Sequence, residues 1–160
     1  MFNSPPANLQ AALLAAFLLP PAMAQTPPPG PDGVVRVRSA YGMDETVTRL
    51  RRDIADKGIL FFEAIDQAAL AAKAGIALRP STLLEFGNPP LGAQFLTANP
   101  TAGLDWPVRL LVSQDEAGIV WAAWTDFDWI ARRHQITNRW EQFARATSVV
   151  ESITSTIRAH

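Results

Sequence analysis

No cysteine occurs anywhere in the 160 residues, and that one absence closes several routes together. There is no disulfide framework, no thiol nucleophile, no thiolate metal site and no acylated cysteine to anchor an exported product. Histidine is nearly as scarce. Of the two, His160 is the last residue, which leaves His134 as the natural candidate for proton transfer near neutral pH. A metal site wants several His, Cys or carboxylate ligands at convergent spacing, so no metal is expected and no cofactor is called for. An excess of one charge is missing too: a net charge of -1 argues against a phosphate-binding surface, and so against nucleic acid as a partner. The chain has no Gly-x-Gly-x-x-Gly spacing, no lysine of a phosphate loop and no Gly-x-Ser-x-Gly elbow, so Ser81 and Ser113 read as structural. Asp126 and Asp128, with Asp115-Glu116, lack the glycine-bearing loop of a calcium site and read as helix caps and turns.

What is present begins with a leader. Leu9 to Leu19 is almost wholly apolar and runs into Pro20-Pro21-Ala22-Met23-Ala24, a small-x-small pattern that reads as a signal peptide over 1–24, cleaved between Ala24 and Gln25. No Lys or Arg precedes the run, so its positive flank is the amino terminus alone. The run is shorter than the ~20 residues that span a bilayer. The expected product is periplasmic or secreted and has no stable membrane insertion after cleavage. Cleavage leaves about 135 residues, enough for one domain with a single core, and 48% hydrophobic residues suit that.

Residues 25–33, rich in proline, read as an extended linker. A domain over 34–137 follows, then a C-terminal helix over 138–160 packed on it. Val34 to Ser39 alternates as a half-buried strand does. Asp44 caps a helix striped by Val47, Leu50 and Ile54, with Glu45–Arg49 and Asp53–Lys57 pairs outside and Gly58 at its end. Ile59 to Asp66 is a strand apolar on both faces, broken by Glu63; a short helix runs from Ala68 to Ala74, and a strand from Thr82 to Phe86. Leu91 to Ala98 reads as a short helix stopped by Asn99-Pro100. Val108 to Ser113 and Ile119 to Thr125 form a hairpin around Asp115-Glu116-Ala117-Gly118. Phe127, Ile130, Ala131 and His134 share a helical stripe; Asn138 with Glu141 opens the last helix like a capping box, and Trp140, Phe143, Thr147, Val150 and Ile157 line that helix. The pattern is α+β: a single compact domain with a mixed, mainly antiparallel sheet of about five strands and helices packed on it.

The densest backbone constraint is Phe86-Gly87-Asn88-Pro89-Pro90-Leu91-Gly92, followed by Asn99-Pro100. Glycine admits close backbone approach and proline fixes φ, so the block reads as a shaped loop. Gly87, Asn88, Pro89, Gly92 and Asn99 are the candidate ligand- or partner-binding residues. Amides at the start of the Leu91 helix could cradle a small anion, although Pro89 and Pro90 remove two donors. The block carries no nucleophile, acid or base. Catalysis would have to come from His134, oriented by Asp66 or Glu63. Five tryptophans between Trp106 and Trp140 are core packing first and a stacking or anchoring surface second.

The order of these signals resembles an uncharacterised, mainly bacterial family, domain of unknown function 302. The resemblance rests on Asp44-Glu45-Thr46-Val47, Ile65-Asp66, Phe86-Gly87-Asn88-Pro89 with Leu91-Gly92, Asn99-Pro100, Leu104-Asp105 before Pro107, and Arg133-His134. It implies a compact mixed-sheet domain able to form a homodimer, and no established activity. Members often carry histidine where this chain has Gln67, and threonine where it has Ala93. Both departures remove polar groups that a catalytic role would use. The expectation is therefore a non-catalytic module that binds a small ligand or an envelope protein. The alternative is a small hydrolase-like enzyme using His134 with Asp66 or Glu63.

Overall fold

A computed structural model describes residues 26–159; the expected leader, its cleavage point and His160 lie outside them. Where an extended linker was expected, residues 30–33 turn into the first strand: Gly33 N donates to Gly30 O, and Asp32 accepts from Val34 N while pairing with Arg36. In β1 (Val34–Arg38), Val35 and Val37 are buried and Arg36 and Arg38 are exposed, as the two-residue period of a strand requires.

Helix α1 (Met43–Asp56) buries Thr46, Leu50 and Ile54, and keeps its Glu45–Arg49 and Asp53–Lys57 pairs on the outside. Its cap is Gly42, not Asp44. The carboxylate sits inside the first turn, where it still meets the positive end of the helix dipole. Gly58 at φ 65° lets the chain leave the helix. There follow β2 (Leu60–Asp66), α2 (Gln67–Lys73), β3 (Ser81–Gly87), α3 (Pro89–Ala98) and a 3-10 helix over Pro100–Asp105. The hairpin β4 (Val108–Gln114) and β5 (Val120–Thr125), then α4 (Phe127–Arg133) and α5 (Trp140–Ser155), complete the domain.

The five strands stand in the order β1-β5-β4-β3-β2, and every pair is antiparallel. The fold is α+β as expected, but the sheet is not mixed. The reason is connectivity: β2 through β5 are neighbours in sequence as well as space, so α2 and α3 are inserted between antiparallel neighbours and no parallel crossover is needed. Val37 is opposite Ala122, Ala122 opposite Val112, and Leu110 opposite Leu84. These residues are almost wholly buried. Phe143, Val150 and Ile153 of α5, with Ile157 in the turn that follows it, complete that core, and Phe95 stacks on Phe143 with ring centres 4.3 Å apart. On the opposite face, Ile65, Leu83, Leu111 and Ala123 register as a half-buried apolar row.

Two local details stand out. Strand β2, apolar on both faces, is a sheet edge: Ile65 is half-buried, whereas Leu60 is 50% and Phe62 42% exposed, with Phe62 edge-on to Trp106. Helix α5 starts after Arg139 without a side-chain cap, and Trp140 projects outward instead of lining it. The capping-box spacing was present, but the helix begins one residue later than the box requires.

Candidate functional site

The glycine- and proline-rich block is not a loop. Strand β3 runs to Gly87, Asn88 caps α3 by accepting from Leu91 N at 3.0 Å, and Pro89 and Pro90 take the first helical positions, where an N–H has no intrahelical partner to lose. The space left by the two glycines is filled from within the chain. A Cβ on Gly87 would lie 3.3 Å from the Trp106 indole, and one on Gly92 would run into that ring. The amides of Leu91 and Gly92 both donate to the Asn88 carbonyl, so this helix start offers no anion cradle.

Asn99 is a junction. Its Oδ1 accepts from the Thr101 amide and hydroxyl, and its Nδ2 donates to the His134 carbonyl at 2.8 Å. His134 is held twice more: Nε2 lies 2.6 Å from Asp105 Oδ2 and Nδ1 lies 3.1 Å from Thr101 Oγ1. The other Asp105 oxygen meets Arg133 at 3.2 Å and Arg109 at 3.5 Å. The carboxylate that orients the imidazole is therefore Asp105, rather than Asp66 or Glu63. Asp66 caps α2 by accepting from Ala69 N, and Glu63 is exposed on the edge strand. Sequence inspection missed this pairing, although Leu104-Asp105 and Arg133-His134 were both conspicuous. Twenty-nine residues separate the partners, and no periodicity links a 3-10 helix to the end of α4.

Among the described residues, no group of three or more His, Cys, Asp or Glu side chains could hold a metal ion. Asp126 caps α4, and Asp115 organises the hairpin turn. The indole N–H of Trp121 beside Asp115, together with the Ile119 and Ala117 amides, holds that carboxyl below its ordinary range. Trp124 is buried and Trp121 half-buried.

The concavity suited to a ligand is a groove of about 600 Å³ between the β3–α3 junction and α5. Its apolar walls include Ile59, Phe86, Leu91, Val108 and Val149, and the polar groups Asn88 and Gln94 also line it. Among the described residues, Lys57 and Arg145 are its charged lining and no carboxylate lines it. Of the residues singled out in the sequence, Gly87 and Asn88 border this groove. Pro89, Gly92, Asn99, His134, Asp66 and Glu63 do not. Gly92 instead lines a void of about 40 Å³ beside Trp106, which Asn88 borders as well.

The family model described as "Domain of unknown function DUF302" matches residues 35–159. The chain belongs to this family. A solved DUF302 structure, that of an uncharacterised conserved protein from Bacillus stearothermophilus, superposes with a TM-score of 0.72 at 20% identity, over 79% of this chain and 98% of that one. At that identity the likeness speaks for the fold alone. Curated relatives of this DUF302 chain carry the name fluoride-specific ion channel: FluC 1 of Brucella suis biovar 1 and FluC 1 of Brucella abortus biovar 1, each 36% identical over 104 residues, or 65% of this chain. The matched stretch spans 41% and 38% of those two proteins. No helix among the described residues is long and apolar enough to cross a membrane.

Proposed function

We propose that this DUF302 domain is a non-catalytic binding module whose ligand lies in the groove between Asn88 and α5. The groove itself carries the reading. Its size falls within the roughly 300–1,000 Å³ of small-molecule sites, and it combines apolar walls with a few polar groups, as such sites do. The ion-channel name of the Brucella relatives is not carried over, because the likeness covers under half of each of those proteins. The apolar leader supports a periplasmic or secreted setting, where a ligand would come from the cell envelope or its surroundings.

The test is retention. The purified chain is incubated with cell-envelope extract, washed and analysed by mass spectrometry beside a Gln94→Trp variant, which fills the groove from an exposed position. A small molecule retained by the parent and lost by the variant supports the reading. Retention by neither, or equally by both, overturns it.

One observation favours a second reading, in which His134 acts as acid or base: the 2.6 Å bond to Asp105 orients the ring as a catalytic histidine would be oriented. Against it, the residue is 5% exposed and both ring nitrogens have partners inside the protein. Turnover of a model ester that His134→Ala abolishes in a folded protein would establish this reading.

A further inference from the structure

The groove has a sign. Lys57 and Arg145 are its charged lining residues, and the two cations are not equivalent. Lys57 is already paired with Asp53 on the turn above it, so its charge is largely answered within α1 and its cap. Arg145 projects from an exposed position on α5 and has no ion pair among the described residues. The groove thus presents one uncompensated positive charge beside apolar walls formed by Phe86, Leu91, Val108 and Val149. The α3 amides at its rim are closed off by Asn88, so an anionic head would be met by side chains rather than by main-chain donors.

Resting on the binding-module reading above, we propose that the ligand is an aliphatic monocarboxylate, with its chain along the apolar walls and its carboxylate against Arg145. A planar guanidinium matches a carboxylate with two parallel hydrogen bonds. A single unanswered cation suits a single negative charge better than the double charge of a phosphate monoester. The apolar tail supplies affinity by leaving water, and the head decides which amphiphiles are retained.

The experiment uses decanoate, decanol and decyltrimethylammonium, three probes that share a tail and differ in head charge. Each is titrated calorimetrically into the purified chain below its aggregation concentration. Decanoate is expected to bind roughly tenfold more tightly than the other two. Arg145→Gln should bring it down to the level of decanol. Gln94→Trp and Ser148→Trp, both at exposed groove positions, should abolish binding of all three while thermal unfolding stays unchanged. Equal binding of the three probes, lost on filling the groove, overturns the carboxylate assignment and leaves the binding module standing. Absence of binding, or binding that the filled variants keep, overturns both. A chain that sediments as a dimer, and becomes a monomer in Ser148→Trp, would show that a second copy occupies the groove and would also overturn the proposal.

Discussion

His134 and Asp105 face each other at 2.6 Å with side chains 4% and 6% exposed, and this bond fastens the end of α4 to the end of the 3-10 helix. Thr101 and Asn99 extend the attachment, one through the ring and one through the main-chain carbonyl. Asp105→Ala leaves a buried imidazole without its partner, and the expected cost is about 2–3 kcal/mol in urea unfolding. Arg133 and Arg109 add little to that figure, because both are half exposed to solvent. A loss within ~0.5 kcal/mol, as at an ordinary surface position, would refute the role given to the pair.

The close approach of Trp106 to Gly92 gives a second expectation. Gly92→Ala places a methyl group inside the indole's volume, so the ring or the helix must shift, at a cost of about 1–3 kcal/mol. Replacing Trp106 by Ala creates a cavity beside Phe62 and the two glycines and is destabilising alone. Together the two changes should cost less than their sum, since the collision is gone. Strict additivity in a double-mutant cycle would contradict the steric account.

Acid should act on the hairpin turn through Asp115. Its folded carboxyl is held below the ordinary value of 3.8, chiefly by the Trp121 indole N–H and then by the Ile119 amide. A lowered folded value means the unfolded chain takes up the proton first as pH falls. The stabilisation is therefore complete above the ordinary carboxylate range and fades as pH drops through the lower folded value. Asp115→Asn should be less stable than the parent at neutral pH, with a gap that narrows only in strong acid. Parallel denaturation curves across pH check this, and a gap constant down to the lowest pH would contradict it.

Ending the chain at Gln135 removes α5 and with it Phe143, Val150 and Ile153, all almost wholly buried. The cut should leave a protein without a cooperative thermal transition, because α1, which also packs on the central strand β4, cannot replace the apolar surface that α5 buries, the stack of Phe143 on Phe95 included. A truncated chain that still melts sharply would show that α5 is an accessory.

Much of the architecture can be read from local pattern. Alternation marks β1 and the β4–β5 hairpin, the Leu50–Ile54 stripe marks α1, and Gly58 and Asn99-Pro100 mark the stops. Sheet direction could not be read in that way, because α2 and α3 between strands look the same whether they cross over or return beside the same edge. The candidate site was half legible. Asn88 and Gly87 stood out for their backbone chemistry and do border the groove. Arg145 and Lys57 did not, since an arginine on an amphipathic helix and a lysine in an i,i+4 pair both look like ordinary solvated charges. Gly92 was read as room for a ligand when the occupant is a tryptophan of the same chain, fourteen positions on by their numbers and far outside any helical window.

Strand β1 touches only β5 within the sheet, Val34 lying opposite Thr125. A ribosome delivers the first of these strands long before the second, so β1 has nothing to join until nearly the whole domain has been made. Closure must then come late and all at once. Until then the backbone groups of Val34 to Arg38 have no strand to pair with.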